Sequence, residues 1–133
     1  MKILFKYYGP AILWALFIFI MCSIKLSESL THAPIFFPGF DKLTHCGFFF
    51  VLVILYSYGL IRQLSTPYIS YKAILMFTAA AIVYGGAIEL LQFYFFTWRS
   101  GEWADLFADA VGASMGAFSI ILTVNAYSGY VKK

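Results

Sequence analysis

The stretch "IELLQFYFFTWRSGEWADLFADAVG" (residues 88–112) closes one apolar run, crosses a short polar connection and opens another. It carries Glu89, Gln92, Arg99, Glu102, Asp105 and Asp109 in a chain that is 62% hydrophobic and only 11% charged. Soluble domains average about 25% charged residues. A soluble fold of 133 residues with 15 Phe and 10 Tyr would expose apolar patches far beyond what monomers tolerate. Lipid as solvent removes that difficulty. The chain reads as an all-α membrane protein, a compact four-transmembrane-helix bundle in one domain, and the stretch is the connection between its last two helices.

Working outward, four apolar segments qualify as spans: residues 7–24, 44–61, 73–96 and 104–127. Each is close to the ~20 residues that a helix needs to cross about 30 Å of hydrocarbon. Helix is the expected conformation, because a spanning segment must satisfy its own backbone and no period-2 alternation appears. Pro10 falls near the expected start of the first helix, where a missing N–H costs little. That helix reads as retained rather than as a cleaved signal peptide, since no A-x-A-like site follows it. The longest connection is an outer loop over residues 25–43; its "IFFPGF" suggests an irregular segment lying over the polar end like a lid.

Charge sets the expected orientation. Lys2, Lys6, Arg62, Lys72, Lys132 and Lys133 fall on one side, Lys25, Lys42 and Arg99 on the other. The richer side is expected to be cytoplasmic, with both termini there. Glu28, Asp41, Glu89, Glu102, Asp105 and Asp109 all fall on the opposite, outer side, as do His32 and His45. Basic residues scattered at loop ends form no patch, which excludes nucleic acid as a partner.

The outer polar residues come in pairs at helical spacing. Asp41 and His45 are four apart, Glu89 and Gln92 three apart, and Asp105 and Asp109 four apart, each pair on one helix face. Gly112 and Gly116 continue the Asp105–Asp109 stripe as a G-x-x-x-G that admits a neighbouring helix closely, and the Gly85-Gly86 pair one turn below Glu89 permits close packing or a kink. A charge at the centre of a span costs about 2.5–3.5 kcal/mol, less near the interface. Glu89 and Asp109 must therefore face the bundle interior, with a partner or a neutralising proton. Three pairs from three helices are expected to converge in one polar cavity near the outer leaflet. Each feature also has a plainer reading: His45 as a hydrogen-bonding helix-entry residue, Asp41–Lys42 as solvated interfacial charge, and Glu89 paired with Arg99 to fix the last hairpin. Cys22 and Cys46 read as apolar packers rather than a disulfide.

"DKLTH" at 41–45, "ELLQ" at 89–92, "RSGEWAD" at 99–105 and "DAVGASMG" at 109–116 resemble the VanZ-like family of small bacterial envelope proteins, over roughly residues 34–120. That family shares D-K-x-x-H and E-x-x-Q…R…D…(N/D)…G…G patterns. Asp41, Lys42, His45, Glu89, Gln92, Arg99, Asp105 and Asp109 match it, with Asp at 109 where Asn is frequent. The resemblance implies a multi-pass protein of the bacterial cytoplasmic membrane, tied through its namesake to low-level resistance to the lipoglycopeptide teicoplanin.

Two function classes follow. In the first, the cavity binds a lipid headgroup or a lipid-linked envelope component: Arg99 meets a phosphate or carboxylate, and the acids accept from hydroxyls or an ammonium. In the second, a small intramembrane enzyme uses Asp41, His45, Glu89, Asp105 and Asp109 as acid/base groups or metal ligands in a hydrolase or transferase acting on a lipid-linked substrate. The sequence predicts no cofactor, and the acids with His45 leave room for a divalent metal. An oligomer is compatible with the pattern. Transport is the weaker expectation, because four helices are few and the polar residues reach only one side.

Overall fold

Hydrocarbon leaves no backbone donor or acceptor unsatisfied, and the chain answers with helices alone among the described residues. The computed structural model describes residues 2–24, 37, 39–66, 68–96 and 101–131. They form α1 (Lys2–Ser23), α2 (Phe40–Leu64), α3 (Tyr71–Phe95) and α4 (Trp103–Val131). All four contain a window long and apolar enough to cross a membrane. This is a multi-pass architecture.

The helices overrun the apolar windows, because hydropathy marks where lipid begins and backbone chemistry marks where a helix ends. α2 starts after Gly39, whose φ of 91° is left-handed and suits glycine, and stops before Ser65 in the same region at φ 51°. Asp41 and Lys42 are thereby helical rather than part of the loop. α3 starts at a conventional cap, with Ser70 Oγ accepting from the Ala73 N–H at 3.2 Å. α1 begins at Lys2 rather than near residue 7, so Pro10 is interior. Its missing N–H therefore leaves one α1 carbonyl without the usual helical donor. The lid expected within the outer loop 25–43 lies mostly outside the described residues.

The helices alternate in direction. Tyr8 near the start of α1 donates to Gln63 near the end of α2, and Tyr71 at the start of α3 donates to Asn125 late in α4. α2 is the central helix: it packs on all three others, most extensively on α4, while α1 packs mainly on α2. The core between them is Ile18, Cys22, Phe49, Leu52, Val53, Ala81, Ile88 and Ala113.

The α2–α4 contact is close because α4 presents glycine to it. A Cβ at Gly112 would collide with the Cys46 carbonyl oxygen, and one at Gly116 would lie 2.7 Å from the Phe50 carbonyl oxygen. Small residues are what let membrane helices approach at backbone distance. The outside is apolar, with Leu13, Leu75, Val83, Phe93, Phe107 and Phe118 exposed, as a lipid-facing surface requires. Two threonine hydroxyls in the spans bond to their own helix, Thr78 donating to the Ile74 carbonyl at 2.9 Å and Thr123 to the Ser119 carbonyl at 2.8 Å, whereas the Tyr84 hydroxyl of α3 donates to the Ala15 carbonyl of α1 at 2.7 Å.

Candidate functional site

Because the helices alternate, the end of α1, the start of α2, the end of α3 and the start of α4 meet at the end of the bundle away from Lys2. His45, Glu89, Gln92, Asp105 and Asp109 are all buried there. The pairs expected from spacing do converge.

The deepest contact joins α2 to α4. His45 Nδ1 and Asp109 Oδ1 are 2.9 Å apart, both nearly without solvent exposure. On the ring's other side, Nε2 lies 4.0 Å from Cys22 Sγ on α1. Thiol, imidazole and carboxylate therefore stand in line across three helices. Asp109 reaches α3 as well: a Cβ on Gly85 would overlap its carboxylate, so the glycine is the recess that admits it.

Nearer the end of the bundle, Lys42 gathers the acids. Its Nζ lies 2.6 Å from Glu102 Oε2, 2.9 Å from Asp105 Oδ1 and 3.8 Å from Asp41 Oδ2. Solvated charge was the plain reading of this lysine; the structure gives it the further task of tying α2 to the start of α4. Asp105 is 1% exposed, and its Oδ1 faces the Lys42 ammonium.

Glu89 enters from α3. One carboxylate oxygen, Oε2, accepts from the Glu102 backbone N–H at 2.8 Å, just before α4, where a helix N-terminus favours negative charge. The other, Oε1, is buried without a partner among the described residues. Gln92 donates from Nε2 to the Cys22 carbonyl at 2.9 Å and leaves its own Oε1 unsatisfied. Arg99, the partner expected for Glu89, lies outside the described residues, as does His32.

Two triplets of donor atoms lie within 4.8 Å of one another: Asp41, His45 and Asp105, and His45, Glu89 and Asp109. These groups have the chemistry to hold a divalent cation. Cys22 and Cys46 are both free thiols, the first buried.

Beside this cluster a cavity of about 600 Å³ runs between α3 and α4. Val83, Gly86, Leu90, Phe93, Trp103 and Leu106 line it, and Glu89 and Glu102 edge it. The spacing arguments missed this groove, because its apolar residues look like any lipid-facing surface. They also passed over Glu102 and the Cys22 carbonyl. A Glu directly before "WAD" is a helix-start signal that could have found the former; a backbone acceptor has no signature to find.

No family model, curated protein or solved structure matches the chain.

Proposed function

We propose that this is a VanZ-like protein of the bacterial cytoplasmic membrane that holds a lipid headgroup or lipid-linked envelope component at its polar end and thereby alters glycopeptide and lipoglycopeptide susceptibility. One observation carries the reading. Glu89 belongs both to the buried polar cluster and to the wall of the apolar groove, and its Oε1 has no partner among the described residues. An amphiphile has this shape: tail along Leu90 and Phe93, polar end at Glu89. Buried polar groups of this density add little stability compared with apolar packing, which favours a ligand over scaffolding. The distribution of basic residues supports cytoplasmic termini, which puts the cluster at the outer leaflet.

The test is lipid mass spectrometry on protein extracted in mild detergent, together with teicoplanin susceptibility of cells expressing it. Glu89→Gln and Asp109→Asn are expected to lower the retained lipid and shift susceptibility. If both variants leave both readouts unchanged, the cluster is structural and the proposal fails.

A second reading, a small intramembrane hydrolase or transferase, is favoured by the Cys22–His45–Asp109 line. Asp109 lies against Nδ1 of the imidazole, and the thiol lies on its Nε2 side. Conversion of a lipid-linked substrate by wild-type protein, lost in both His45→Gln and Cys22→Ala, would establish it. A Cys22→Ala protein that still turns over would exclude the thiol.

A further inference from the structure

We infer that His45, Glu89 and Asp109 form a site for one divalent transition-metal ion, with zinc as the reference ion. One imidazole nitrogen and two carboxylate oxygens are a donor set that zinc and manganese accept. The three ligand atoms lie within 4.8 Å of one another. The 2.9 Å between His45 Nδ1 and Asp109 Oδ1 is close to the roughly 3.0 Å between neighbouring ligands of an octahedral ion with bonds of about 2.1 Å, and about 0.5 Å short of the roughly 3.4 Å of a tetrahedral one, a gap that a side-chain adjustment closes. Glu89 is 7% exposed, and its Oε1 is an unpartnered buried oxygen on the third ligand. The recess at Gly85 brings the Asp109 carboxylate against α3, one helical turn from Glu89.

The overlapping triplet, Asp41 with His45 and Asp105, is the weaker competitor. Lys42 already lies 2.9 Å from Asp105 and 3.8 Å from Asp41, and an ammonium there repels a second cation. Among the described residues no lysine or arginine contacts Glu89 or Asp109.

This deepens the proposed function and rests on it only for the ligand class. Three protein ligands leave coordination positions open. An ion there would turn a cluster of acids, which repels anions, into a receptor for a phosphate oxygen. The headgroup class is then a phosphate-bearing lipid.

The experiment takes full-length protein in detergent, strips it with chelator, dialyses it against zinc and measures bound metal per chain, with X-ray absorption at the zinc edge. One zinc with nitrogen and oxygen donors only is expected. His45→Gln, Glu89→Gln and Asp109→Asn should each weaken it about tenfold or more, and Asp41→Asn less than threefold. Glu89→Gln keeps an acceptor for the Glu102 N–H, so its loss of zinc cannot be ascribed to an unfolded hairpin; a melting curve without metal verifies this. Wild-type protein that takes up neither zinc nor manganese at tens of micromolar overturns the proposal. So does zinc that survives Glu89→Gln but is lost in Asp41→Asn, and so does sulfur in the zinc shell. Lipid retained by metal-free protein that cannot bind zinc removes the ion and spares the lipid reading. Zinc uptake with no lipid at any metal level does the reverse.

Discussion

Gly85 on α3 and Asp109 on α4 meet with no room for a methyl group between them. A Cβ on its neighbour Gly86 would meet only the Leu106 side chain, at an ordinary van der Waals distance of 3.7 Å. Alanine raises helix propensity at both positions by up to about 1 kcal/mol, so the sign of the effect depends on crowding. Gly85→Ala should destabilise by about 1–3 kcal/mol through overpacking, whereas Gly86→Ala should be neutral or slightly stabilising. Unfolding midpoints in a single detergent decide this, and equal effects would contradict the recess.

Gly112→Ala is the more severe substitution. Its methyl group meets the Cys46 carbonyl of α2, which is backbone and cannot swing aside as a carboxylate can. The loss should exceed that of Gly85→Ala and be accompanied by separation of α2 from α4. Disulfide trapping between cysteines introduced at the α2–α4 contact would report this as a lower cross-linking yield.

Lys42→Met leaves Asp105 buried without its ammonium. A buried acceptor left unsatisfied costs about 1–3 kcal/mol, and partial exposure of Lys42 argues for the lower half of that range. Asp105→Asn added to Lys42→Met should restore most of the loss. A double-mutant cycle measures the coupling, and a coupling near zero would mean that Lys42 only solvates the end of the bundle.

Glu89 has a structural role separable from any ligand. Glu89→Ala removes the acceptor for the Glu102 N–H and should cost about 0.5–2 kcal/mol, the range for losing a helix cap, while Glu89→Gln should cost less. Hydrogen exchange at the first turn of α4 would show whether fraying is local.

Val83→Trp places a large ring on the groove wall, away from the polar cluster. Retained lipid should fall severalfold with the melting midpoint unchanged. Unaltered lipid content would place the tail elsewhere.

Four spans and the paired polar positions were legible because both rest on short-range rules: about 20 apolar residues, and ionisable groups three or four apart on one helix face. Asp41 with His45 and Asp105 with Asp109 needed nothing more. Partner choice was not legible. Gln92 bonds to the Cys22 carbonyl on another helix, and Glu89 takes the Glu102 N–H, both set by how helices pack. The start of α2 was placed too late because charge at Asp41 and Lys42 was read as the end of a span, although only Gly39 interrupts the backbone. Pro10 was misplaced for the same reason at α1.

The groove beside Glu89 opens on the flank of the bundle, among the exposed side chains Val83, Leu90 and Phe93. A chain that slides in from surrounding hydrocarbon exchanges one oily neighbour for another and gains little, since acyl tails are as apolar as leucine. Discrimination among candidates would then fall to the few atoms that touch Glu89, and occupancy would follow the mole fraction of the amphiphile in the leaflet rather than its concentration in water.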